Sequence, residues 1–141
     1  MIAASPSTKN FVQTHKALFN AYQAVKPGGR IILLAPCPEG LGGDQFQKWL
    51  ELKDRAAIIQ GLRKQSEING QTALSTREKA PITHIVTELT NSQVNLIGAA
   101  KAPDLDTAIK NATAELAESG IKDPSYIIIP DAAYTVPVPS L

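Results

Sequence analysis

Gln13 and Lys16 are the side chains in this sequence best placed to meet a ligand. They lie in the stretch Asn10 to Pro36, which reads as an amphipathic helix, a Pro-Gly-Gly stop and a buried strand. At about 100° per residue, Phe11, His15, Leu18, Tyr22 and Val25 share one side of the helix, and Gln13, Lys16 and Asn20 share the opposite side. Both residues belong to the first turns of a helix that follows a strand. In a parallel sheet that places them near the carboxyl ends of the strands, where ligands of such folds bind. A blander reading also stands: Gln13 reaches back to the N-cap Asn10 in a capping box, and Lys16 lies on a solvated face.

Other chemistry-bearing residues are fewer. Gly40-Leu41-Gly42-Gly43 precedes a helix, so its backbone N–H groups could bind an anion, although it matches neither a Walker loop nor the dinucleotide fingerprint. A flexible strand-to-helix turn accounts for it better than an anion site does. Glu39, beside Gly40, sits at the same strand end and could face a cleft. Tyr134 either packs the tail on the sheet or reaches that cleft. His15, His84 and Cys37 lack metal-ligand spacing, Cys37 has no identifiable base, and all three read as structural. No metal site, nucleophile triad or carboxylate pair can be assembled.

The elements that must position these residues follow from pattern. Ile2 to Ser5 reads as a first strand and Arg30 to Ala35 as a second, an apolar run without alternation that fits a strand covered on both faces. Asp44 to about Arg63 is helical, broken near Lys53-Asp54, with Trp49 as a packing residue. Asn69-Gly70 interrupts the run, and Gln71 to Lys79 forms another short helix. His84 to Thr87 is a third strand and Val94 to Ile97 a fourth. Asp104 caps a helix carrying Leu105, Ala108, Ile109, Ala112 and Leu116 up to Gly120. Tyr126 to Ile129 is a fifth strand, and the proline-containing tail from Asp131 to Leu141 is extended or irregular. Strands alternating with helices predict an α/β, Rossmann-like, three-layer domain: a mostly parallel sheet of about five strands with helices on both faces.

Composition bounds the rest. The 141 residues suit a single domain, 1–141, with a real core. Hydrophobic residues at 43% argue against disorder, and a net charge of +1 gives no electrostatic reason to expect nucleic acid or an anionic membrane. A single cysteine excludes an internal disulfide and agrees with a cytoplasmic location. No signal peptide is visible, and no apolar run approaches the roughly 20 residues that span a bilayer. Ile2-Ala3-Ala4-Ser5 looks like a strand met in mid-element, which predicts that the domain belongs to a longer protein. An exposed sheet edge left by such a cut could support a homodimer.

Four pieces together resemble the C-terminal domain of the nickel-dependent lactate racemase family. They are Gln13-x-x-Lys16-Ala17-Leu18, Ala24-Val25-Lys26-Pro27-Gly28-Gly29, Glu39-Gly40-x-Gly42 and Ala133-Tyr134-Thr135-Val136-Pro137, and they span nearly the whole chain. The resemblance implies a longer enzyme. Its N-terminal catalytic domain would carry a nickel-pincer nucleotide on a lysine and the histidines that ligate nickel and move the hydroxyl proton. Hydride would leave the α-carbon of a 2-hydroxy acid and return to either face. The present domain would close the cleft and be inactive alone, with Gln13 and Lys16 binding substrate or cofactor, and with Lys16 the catalytic contact. The chain departs from the family pattern at Val12, at Ser5-Pro6-Ser7-Thr8 and at Ala132-Ala133, so the choice of 2-hydroxy acid stays open. Two other classes remain: a non-catalytic binding module, and a methyltransferase-like fragment suggested by Val25 to Arg30 alone.

Overall fold

The computed structural model describes residues 1–52 and 54–138. Five strands, β1 (Ile2–Ala4), β2 (Ile31–Leu34), β3 (Thr83–Val86), β4 (Ala100–Ala102) and β5 (Ile128–Ile129), form one sheet in the order β4-β3-β2-β1-β5. Every pairing is parallel, with Ile2 opposite Ile32 and Ile128, and Ile32 opposite His84. The α/β expectation therefore holds.

The helices are α1 (Phe11–Ala24), α2 (Asp44–Leu50), α3 (Arg55–Lys64), α4 (Ile68–Lys79), α5 (Asn91–Ile97) and α6 (Leu105–Glu118). Strand side chains alternate between the two faces. Ala3, Ile31, Leu33 and Ile85 enter the larger core with Phe11, Leu18, Phe46, Leu50, Ile58 and Val94 from α1 to α5. Ile2, Ile32 and Ala102 enter a smaller core with Ala108 and Ala112 of α6. Both faces of β2 are thus covered, which is why its sequence lacks polar alternation.

Four of the six helices, α1, α3, α5 and α6, start on a side chain that satisfies one of their first N–H groups. Asp54 accepts from the Ala57 N–H at 2.9 Å and Asp104 from the Thr107 N–H at 2.7 Å. The break between α2 and α3 lies where the sequence indicates it. On α1 the buried positions are Phe11, Thr14, Ala17, Leu18 and Ala21, so Thr14, Ala17 and Ala21 rather than His15 and Tyr22 join Phe11 and Leu18 in the buried stripe. Small side chains let α1 approach the sheet, while His15 bonds Ser75 of α4 at 2.9 Å.

Two expectations are corrected. Val94 to Ile97 is not a strand but part of α5. A Thr90/Gln93 capping box opens that helix and Gly98, at φ 90°, closes it; the fourth strand is Ala100–Ala102. Asn69-Gly70 does not interrupt a helix, because α4 runs through both. There the ring of Trp49 lies against two glycines: a Cβ on Gly61 or Gly70 would fall 2.7 Å from it. The indole N–H donates to Glu67, which also accepts from Asn69 at 2.7 Å. On the other face Arg30 and His84 both bond Glu115 of α6, at 2.6 and 3.2 Å. Burial would raise the Glu115 carboxyl, but Arg30 and His84 together hold it below its usual value. His84 thus has a structural place, as expected.

Candidate functional site at the carboxyl edge of the sheet

The chain leaves β1 through α1 toward β2, while β5 pairs with the other side of β1. The strand order reverses there, and the carboxyl ends of β1 and β5 flank the switch-point crevice. Helix α1 begins at that edge. Its Phe11 and Val12 N–H groups donate to the carbonyls of Gly40 and Leu41 at 3.0 and 3.2 Å, and Asn10 Oδ1 accepts from the Gln13 N–H at 3.1 Å. The loop after β2 therefore closes the helix N-terminus with its own carbonyls. Gly40 and Gly42 take φ of 73° and 106°, a region that suits glycine. Gly42 also approaches Val12 so closely that a Cβ would lie 2.8 Å from its side chain.

Gln13 is a cap, but not of the expected kind: its Oε1 accepts the N–H of Lys9, at 3.1 Å, rather than that of Asn10. That bond uses the acceptor end of the amide and leaves the Nε2 hydrogens for other partners. Lys16 is exposed one turn on, and among the described residues it has no ion pair. With its oxygen engaged by Lys9, Gln13 presents its Nε2 donors beside the Lys16 ammonium, in the first two turns of α1. A group with acceptor oxygens and negative charge, such as a carboxylate or phosphate, matches that set.

The remaining candidates divide. Glu39 lies at the same edge, is exposed, and pairs with Lys9 at 3.7 Å, while its N–H donates to the Lys9 carbonyl at 2.8 Å. Gly40 shapes the loop that seats α1. Tyr134 lies past β5 in a turn closed by its N–H to the Asp131 carbonyl at 3.3 Å and by Thr135 Oγ1 to the same carbonyl at 2.7 Å, and the residue is 77% exposed. A cavity of about 260 Å³ lies at the opposite, amino edge, between α6 and the segment leading into β5, and none of these candidates lines it. The donor pair fits an open edge that a second surface completes better than a closed pocket.

Two features escaped the sequence reading. Beneath the start of α1 a buried chain of hydroxyls runs from Ser5 to Thr8 at 3.1 Å, Thr8 to Thr14 at 2.6 Å and Thr14 to the Cys37 thiol at 3.3 Å. Burial raises the Cys37 thiol and bonds to Thr14 and Thr87 pull it back, so it stays a protonated, packed group. The hydroxyl-rich run from Ser5 to Thr8, followed by a threonine on the buried face of α1, was the available signal. The second feature is Asn20, whose Nδ2 donates to the carbonyl of Ala132 at 2.8 Å.

The family model described as lactate racemase C-terminal domain matches residues 3–136. The chain belongs to that family. Among solved structures it is similar to the lactate racemase apoprotein from Thermoanaerobacterium thermosaccharolyticum, with a TM-score of 0.79 and 23% identity over 96% of this chain. That likeness shows the shared fold, and the chain spans only 34% of the neighbour's length. No curated protein matches it by sequence. In this lactate racemase-like domain no helix of the described residues is long and apolar enough to cross a membrane.

Proposed function

We propose that this domain closes the active-site cleft of a lactate racemase-like isomerase acting on a 2-hydroxy acid, and that Gln13 and Lys16 hold the substrate carboxylate or an acidic group of the cofactor. The observation that carries the reading is the donor pair on α1. The Gln13 amide is oriented by Lys9, the Lys16 ammonium stands one turn away, and both are at the sheet edge where strand order reverses. An ammonium beside an amide donor binds a carboxylate and fixes its orientation, which is what a reaction at the adjacent α-carbon requires.

The family's nickel-pincer nucleotide belongs, in this reading, to the N-terminal catalytic domain of the same polypeptide. An ammonium and an amide N–H pair offer hydrogens and no metal-ligating lone pair, so they suit the organic acidic groups of the cofactor rather than its nickel. When bound, the cofactor supplies the hydride acceptor and donor. Lys16 and Gln13 orient the carboxylate, and the closing domain excludes water from the reacting carbon. The buried Cys37 is consistent with a cytoplasmic enzyme.

The test is racemisation of a panel of 2-hydroxy acids by the complete native polypeptide and its Lys16→Ala variant. Loss of a positioning charge predicts a fall in turnover of about a hundredfold. Near-normal turnover removes Lys16 from the mechanism.

A further inference from the structure

Asn20 shares the exposed side of α1 with Gln13 and Lys16, two turns beyond the first and one beyond the second. Its amide donates to the Ala132 carbonyl at 2.8 Å, and the Ala132 N–H donates to the Ala4 carbonyl at 2.8 Å. Ala132 is fully buried. Ala132 therefore joins three elements at the switch point: α1 through its carbonyl, β1 through its N–H, and the exit from β5 through the chain itself. The turn that follows is closed on the Asp131 carbonyl by both Tyr134 and Thr135. It is held inside by its own bonds, and the Asn20 amide is the side-chain bond that ties it to the helix bearing the donor pair.

We infer that Asn20 is a positioning residue of the site: through the Ala132 carbonyl it fixes the 131–135 turn, and Tyr134 with it, to the helix that bears Gln13 and Lys16. The inference rests on the proposed 2-hydroxy acid reading for its functional half and on geometry alone for its structural half. Asn20 touches no substrate. It acts by keeping Tyr134 at a fixed place relative to the carboxylate-binding pair, where a displacement of about an ångström is enough to reduce rate substantially. Leucine has nearly the shape of asparagine and no donor, so Asn20→Leu removes the bond and leaves the volume.

The experiment compares wild type, Asn20→Leu, Tyr134→Ala and the double variant in the complete polypeptide. KM and kcat are measured with lactate and a panel of other 2-hydroxy acids, alongside hydrogen exchange of the 133–135 amides. Asn20→Leu is expected to lower kcat/KM about tenfold, chiefly through KM, and to speed exchange in the turn at least tenfold without changing exchange along α1. The double variant is expected to be no worse than the poorer single variant, since both act through one turn. Additive losses, unchanged kinetics or unchanged exchange overturn the inference. Wild type inactive on every 2-hydroxy acid overturns the proposed function and the site role of Asn20 with it, while faster exchange in Asn20→Leu then shows the clasp to be structural only.

Discussion

At the scale of single residues, position on the fold separates groups that sequence alone leaves alike. His15 and Lys16 are neighbours, yet one turns to α4 and the other to solvent. Burial, together with the nearby Lys79 ammonium, pushes His15 down to about 4 from 6.5. Lys79 is itself buried and stands over the rings of Phe19 and Tyr22 at 5.2 and 4.9 Å, with Glu78 at 2.8 Å, so the region already holds a positive charge. Below pH 6.5 the unfolded chain takes up a proton that the folded His15 refuses until about 4. Its contribution is therefore complete above the unfolded value and is lost progressively as the pH falls from there toward 4. Urea titrations at pH 7 and pH 5 are expected to show lower stability at pH 5. The difference should shrink in His15→Gln, which keeps a partner for Ser75 and cannot charge. An equal difference in the variant would assign the pH dependence elsewhere.

At the scale of elements, the region from α2 to α4 is organised by one tryptophan seated between two glycines. A methyl group on Gly70 would meet Trp49 at 2.7 Å and Leu62 at 2.8 Å, so Gly70→Ala is expected to cost about 1–3 kcal/mol, even though alanine favours helix over glycine. The Trp49→Leu background should remove most of that cost, and chemical denaturation of the four proteins measures it. The same packing explains what was and was not legible. Periodicity and caps located α1, α6 and the α2–α3 break because their causes are local: Asn10, Asp54 and Asp104 each lie beside the helix they start. Asn69-Gly70 was misread because its helical state depends on a ring from α2, distant in sequence. Val94-Asn95-Leu96-Ile97 was misread for a different reason. A short apolar run fits a strand or a helix, and the deciding signals, Thr90 with Gln93 and then Gly98, lay just outside it. The loss of that capping box in Thr90→Ala is expected to cost about 1 kcal/mol, measured in the same way. At the site, the polar face of α1 was legible from spacing. The bond from Asn20 to Ala132 was not, since it joins positions 112 residues apart.

At the scale of the whole molecule, the distribution of apolar surface is uneven. Among the described residues, seven of the nine exposed large hydrophobic side chains lie between Ile121 and Val138. Ile127 and Ile128 are 51% and 66% exposed beside β5, an edge strand with no charged residue of its own, and Ile127 also lines the 260 Å³ cavity. The other edge is managed differently: β4 carries Lys101, whose ammonium bonds the Leu89 carbonyl. A patch of this kind on an otherwise well-packed chain marks a surface that another surface covers. Since the chain spans 34% of the racemase structure it resembles, the native polypeptide is expected to run far above 15.0 kDa on an immunoblot of source-cell extract. The domain expressed alone is expected to self-associate, through the uncharged β5 edge. Sedimentation velocity should show dimers or larger species of the isolated domain that Ile128→Lys shifts toward monomer, because a lysine on an edge opposes strand pairing. In the complete polypeptide the same substitution should instead lower the thermal midpoint, since a buried lysine without a partner is costly. A monomeric isolated domain, or a complete protein indifferent to Ile128→Lys, would mean that this edge is open to solvent in the complete protein.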